Sequence, residues 1–138
     1  MNNAANQALD ALGALRRATS ERHALLDTGL PLAGLAPTLA DYASHLRMLR
    51  AWLGPIEDWL AAYVDGPQLA LTPKRRLQGI DADLAHPAMP PLEPLAQAAA
   101  PWPEGASAAY RWGVSYVVEG SQLGGAVLYQ KLAGSLAP

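Results

Sequence analysis

The chain has 138 residues, enough for one domain. Its 28 Ala and 23 Leu stand against 11 β-branched residues and no Phe, a balance that excludes a sheet-rich fold and predicts a single all-α domain over 1–138. The absence of Cys excludes disulfide frameworks and thiolate sites, and a net charge of −2 without a basic stripe offers nucleic acid no footing.

No apolar run approaches the ~18 residues of a membrane span. The opening Met1-Asn2-Asn3-Ala4-Ala5 lacks the basic and apolar regions of a signal peptide. A cytoplasmic protein without membrane or nucleic-acid partners is the expectation. A first helix is predicted from about Ala8 to Asp27, with Leu12, Leu15, Thr19, His23 and Leu26 on one face and a stop at Gly29 and Pro31.

A second helix starts after Pro37, with Thr38 as cap and Asp41 in the first turn. Its stripe of Tyr42, Leu46, Leu49, Leu53, Ile56, Leu60 and Tyr63 runs through Gly54-Pro55, where a kink is expected, and ends at Gly66-Pro67. Thr72-Pro73 opens a short third helix that runs to about Ala85 and stops at His86-Pro87. Six prolines between Pro87 and Pro103 then mark a loop, with room for one turn at Leu92–Ala99.

The fourth helix begins near Ser107 and covers Tyr110 to Leu132, with Gly113, Gly120, Gly124 and Gly125 inside it. Each interior glycine costs about 1 kcal/mol relative to alanine, which this chain uses freely. Gly113, Gly120 and Gly124 are spaced 7 and 4 apart and share one face. A face without side chains lets the backbone approach another helix or a flat ligand, and on this motif alone helix packing is the better reading.

His23 lies on the apolar stripe of the first helix, with Thr19 one turn and Arg16 two turns before it. A lone His on such a face is more often a hydrogen-bonded core residue than a ligand. Here a guanidinium stands about 10 Å away along the axis, a distance that suits a planar ligand with iron at its centre and carboxylates at its edge.

Leu15-Arg16-Arg17-Ala18-Thr19-Ser20-Glu21-Arg22-His23 and Tyr116-Val117-Val118-Glu119-Gly120-Ser121-Gln122-Leu123-Gly124-Gly125 resemble the haem oxygenase family, in particular its bacterial, biliverdin-producing branch associated with bacteriophytochromes. The stretches Tyr42 to Glu57 and Arg76 to Leu84 fit the same pattern, and the resemblance covers about residues 10 to 135. It implies a multi-helical bundle holding haem b, both cofactor and substrate, between a proximal helix and a glycine-kinked distal helix.

The resemblance further implies that His23 is the iron ligand and that Arg16 is a basic position near a propionate. Gly120 and Gly124, with Gly125 beside them, match the glycines that lie against the haem face. Ser121, with the Gly120 backbone, would organise distal water. Thr19 and Tyr116 complete the expected pocket. The implied reaction uses dioxygen and an electron donor such as a ferredoxin or reductase, and yields biliverdin, carbon monoxide and ferrous iron. The family continues beyond the distal helix, whereas this sequence stops at Pro138; its bare apolar faces are then expected to take a partner such as a second copy. Two alternatives are a haem-binding sensor or carrier without turnover, and a helical interaction module that uses its glycines only for packing.

The remaining polar residues have plainer readings. His45 should be half-exposed at the edge of its stripe, and His86 should cap a helix end. Asp81 and Asp83, on different faces, and the run Lys74-Arg75-Arg76 read as solvated, the basic run also offering a surface to an acidic electron donor. Trp52, Trp59 and Tyr63 read as core or core edge, and Tyr110 as core or pocket flank.

Overall fold

A computed structural model describes residues 3–71, 76–91, 93, 95 and 102–133. Among them are four α-helices and no strand: α1 (Asn3–Gly29), α2 (Leu39–Ala61), α3 (Arg76–Leu84) and α4 (Ala108–Ala133). Short 3-10 turns at Pro31–Ala33 and Pro67–Ala70 punctuate the chain on either side of α2. The all-α expectation holds. The Thr72-Pro73 cap and residues Lys74 and Arg75 lie outside the described residues, and the turn expected at Leu92–Ala99 falls almost wholly outside them.

α2 is the central element. Thr38 and Asp41 form a full capping box: the Asp41 N–H donates to Thr38 Oγ1 at 3.2 Å and the Thr38 N–H donates to Asp41 at 2.9 Å. These bonds hold the Asp41 carboxyl below its usual range. The helix continues through Pro55 to Ala61 as one element, although proline removes a backbone donor. Its Leu46, Leu53 and Ile56 form a core with Ile80 of α3 and Val118 of α4. Leu49, Trp52, Leu60, Leu77 and Trp102 pack around that cluster.

α3 is tied to α2 by two polar contacts as well. Arg50 pairs with Asp81, and the Tyr42 hydroxyl donates to Asp83 at 2.7 Å. The two aspartates expected to be merely solvated are therefore bonded across the helix pair. His86 also differs from expectation. Its backbone N–H bonds the Asp83 carbonyl, while its Nδ1 accepts from the Ala88 N–H at 3.2 Å, so the side chain braces the following turn rather than capping the helix.

α1 departs most from the sequence pattern. It begins earlier than expected, at Asn3, and its main packing partner is the Pro31–Ala33 turn. Leu15, Leu25 and Leu26 are 60%, 66% and 54% exposed, and His23 is exposed. Periodicity placed the stripe residues on one face, but no described element covers that face.

Candidate functional site

α4 carries two opposite faces. Ser107 caps its start, its Oγ accepting from the Tyr110 N–H at 3.2 Å. Arg111, Ser115 and Val118, spaced 4 and 3 apart, are buried against the bundle. Gly120 follows Val118 by two residues, a rotation of roughly 200° at 100° per residue, so it points away from that core. Gly113 and Gly124 share its arc. A Cβ built at any of the three would meet no atom within 4 Å. Trp112, Tyr116, Val117, Leu123 and Val127 rim the arc and are all exposed.

The arc is thus a floor of bare backbone with an apolar border. Glu119, the one charged residue from 112 to 127, lies about 100° round from Gly120 and outside this arc. Gly125 lies beside the floor, about 100° round from Gly124. Ser121 stands at its edge, where its hydroxyl donates to the Val118 carbonyl at 2.7 Å and accepts from Gln122 Nε2 at 3.2 Å. Ser121 can therefore accept as it stands, but donating outward requires its proton to leave the helix backbone.

On α1, Arg16, Thr19 and His23 share one exposed to half-buried face. Thr19 Oγ1 donates to the Leu15 carbonyl at 2.9 Å, which leaves its methyl and the His23 imidazole as the outward groups. The structure brings each set together within its own helix but does not place His23 on the glycine floor: no atom lies within 4 Å of a Cβ position at Gly120 or Gly124.

An apolar cavity of about 340 Å3 opens next to the floor, walled by Trp52 and Ile56 of α2, Trp102, and Tyr110, Gly113 and Val117 of α4. The aromatic cluster behind it is ordered by specific bonds. Trp59 stacks on Trp102 with centroids 5.1 Å apart and meets Tyr63 and Tyr110 edge-on. Trp59 Nε1 donates to the Pro103 carbonyl at 3.1 Å, and the Ala106 N–H donates to the Tyr63 hydroxyl at 3.1 Å. The end of α2 thereby holds the segment leading into α4.

Arg111 locks that corner. It is 4% exposed, sits 4.3 Å over the Tyr63 ring, donates to the Ala106 carbonyl at 2.7 Å and pairs with Asp65 at 3.1 Å. Gly66 is needed beside it: its φ is +102°, and a Cβ there would fall 2.7 Å from Arg111 Nη2. The sequence reading passed over Arg111 and Trp102. A usable signal existed, since Arg111 lies seven residues before Val118, on the face opposite the glycines.

Arg76 corrects another expectation. Its side chain is only 14% exposed and forms an ion pair with Glu119, the residue immediately before Gly120. Glu57 of α2 feels the same guanidinium. Burial raises the Glu57 carboxyl above its ordinary value, and Arg76 opposes that rise. His45 matches its half-exposed expectation; its Nδ1 is buried without a partner, and desolvation lowers its pKa.

No protein-family model matches the chain, and no solved structure matches it. Among the described residues no helix is long and apolar enough to cross a membrane. The chain is similar to a protein of Xanthomonas campestris pv. campestris (strain 8004) named heme oxygenase, with 38% identity over 89 residues, 64% of this chain. The match covers 48% of that relative, so the chain spans about half the length of the curated protein to which it is similar.

Proposed function

We propose that this chain is a haem oxygenase-type domain that binds haem b as cofactor and substrate and cleaves it oxidatively. The observation that carries this reading is the open, uncharged glycine floor of α4, which lies in the segment that most resembles the family. The similarity to a protein named heme oxygenase supports it. The donor set suits the ligand: His23 offers an imidazole for iron, Arg16 a guanidinium for a propionate, and Gly113, Gly120 and Gly124 a flat apolar bed for the ring.

When bound, haem supplies the iron at which dioxygen is activated, and the proposed products are biliverdin, carbon monoxide and ferrous iron. Electrons come from a separate donor, such as a ferredoxin or reductase. The bacteriophytochrome-associated branch gives the product an acceptor.

In this proposal the residues of the chain divide the work. The glycines admit the ring without offering an oxidisable side chain. Tyr116 and Thr19 border the ring, and Gly125 relaxes the helix beside Gly124. Ser121 and the Gly120 backbone would hold water over the floor, with Ser121 acting first as acceptor because its proton is engaged at Val118.

A second reading is favoured by the same bare surface. Trp112, Tyr116, Leu123 and Val127 form an apolar patch of the kind that docks another helix, including that of a second copy. A haem titration separates the readings. The haem oxygenase reading expects a saturable one-to-one Soret band, loss of imidazole ligation in His23→Ala, and decay to the biliverdin spectrum with ascorbate in air. A stable band without decay would leave a haem binder without turnover, and no band would leave a docking surface.

A further inference from the structure

We propose that Arg76 is a positioning residue for the glycine floor, acting through Glu119. The inference rests on the reading of α4 as the haem-facing helix and extends it to residues with no role in that reading so far. Beyond Val118 no described α4 side chain is buried, so the half of the helix bearing Gly120, Ser121 and Gly124 runs past the core. Glycines in that half leave little to fix its rotation, and they make bending easy.

The Arg76–Glu119 pair lies at the boundary. It joins Arg76 of α3 to Glu119, the α4 residue immediately before Gly120. Arg76 is buried enough for the pair to be weakly screened, and Glu57 adds a second carboxylate from α2. A guanidinium shared between two helices in this way loses its water without losing its countercharge. Rotating α4 would move Glu119 away from Arg76 and leave the guanidinium desolvated beside Glu57 alone. The pair therefore resists rotation where hydrophobic packing has ended, and it holds the arc outward.

The test compares Arg76→Gln with Arg50→Gln, which removes the Arg50–Asp81 ion pair between α2 and α3 and leaves the Arg76–Glu119 pair in place. Amide hydrogen exchange on the chain without haem is read first. The proposal expects Arg76→Gln to lose protection selectively over 119–126, with 108–115 unchanged, and Arg76→Lys to restore it in part. Arg50→Gln should leave both segments as they are. Haem affinity is read second: roughly ten- to a hundredfold weaker in Arg76→Gln and unchanged in Arg50→Gln. Unaltered exchange over 119–126 in Arg76→Gln, or equal effects of the two variants, would overturn the proposal. If the unaltered chain binds no haem, the haem reading fails by itself while the exchange comparison still decides whether Arg76 holds α4.

Discussion

The Tyr42 hydroxyl donates to Asp83 at 2.7 Å and so fastens the first turns of α2 to the end of α3. Burial, reinforced by the bond and charge of Asp83, pushes the phenol up to about 12. The folded state thus favours the neutral phenol: its contribution is complete below the ordinary value near 10 and is lost as pH rises through about 12. A spectrophotometric titration should show a tyrosine ionisation near pH 12, and Tyr42→Phe should remove that step. The same variant should cost about 1 kcal/mol or less, because the bond is partly solvated. Urea unfolding near neutral pH checks this.

Gly66 should tolerate no side chain. A Cβ would sit 2.4 Å from Gln68 Oε1 and 2.7 Å from Arg111 Nη2, on a backbone with φ of +102°. Gly66→Ala should destabilise by roughly 1–3 kcal/mol, from left-handed strain and displacement of Arg111. Because Arg111 sits on Tyr63, near-ultraviolet circular dichroism should change together with the unfolding midpoint.

Gly120 and Gly124 should behave in the opposite way. Their Cβ positions are empty and their backbones helical, so alanine at each should stabilise the chain without haem by about 1 kcal/mol. Under the proposed function the same substitutions raise the floor and weaken haem binding. Thermal unfolding and haem titration of Gly120→Ala and Gly124→Ala should therefore move in contrary directions. Parallel gains in both would contradict the floor.

His45 should give the fold an acid-sensitive component. Desolvation lowers its pKa, so the folded state disfavours the charged ring. The unfolded chain binds the proton more readily, and stability falls as pH drops below about 6.5, the ordinary histidine value. Glu57 acts with the other sign: its raised pKa makes ionisation costly as pH climbs above the ordinary glutamate value. His45→Gln should flatten the midpoint between pH 7 and 5, and Glu57→Gln should gain most at neutral pH. Denaturation at several pH values distinguishes them.

Local features were legible in the sequence. The Thr38 cap with Asp41 in the first turn, the passage of α2 through Pro55 and the start of α4 near Ser107 depend on residues within one or two turns. Long-range polar ties were not. Asp81, Asp83 and Arg76 find partners 31, 41 and 43 positions away, and nothing in their own neighbourhoods distinguishes a bonded charge from a solvated one. The glycine face of α4 was legible as a face because spacing alone defines it. The exposure of the α1 stripe was not, since periodicity says which residues align and not whether another element lies over them. The cavity beside Gly113 was hidden for a similar reason: Trp52 and Trp102, which both wall it, are 50 positions apart in the sequence.

The stacked Trp59–Trp102 pair gives the molecule a built-in optical reporter. Two indoles this close, with planes inclined at 29°, form a chiral array whose transitions couple through space. One partner belongs to α2 and the other to the segment entering α4, so the couplet survives only while those two parts stay docked. Its sign and amplitude can be followed without label or ligand, which lets the arrival of α4 on the bundle be timed separately from the formation of helix itself.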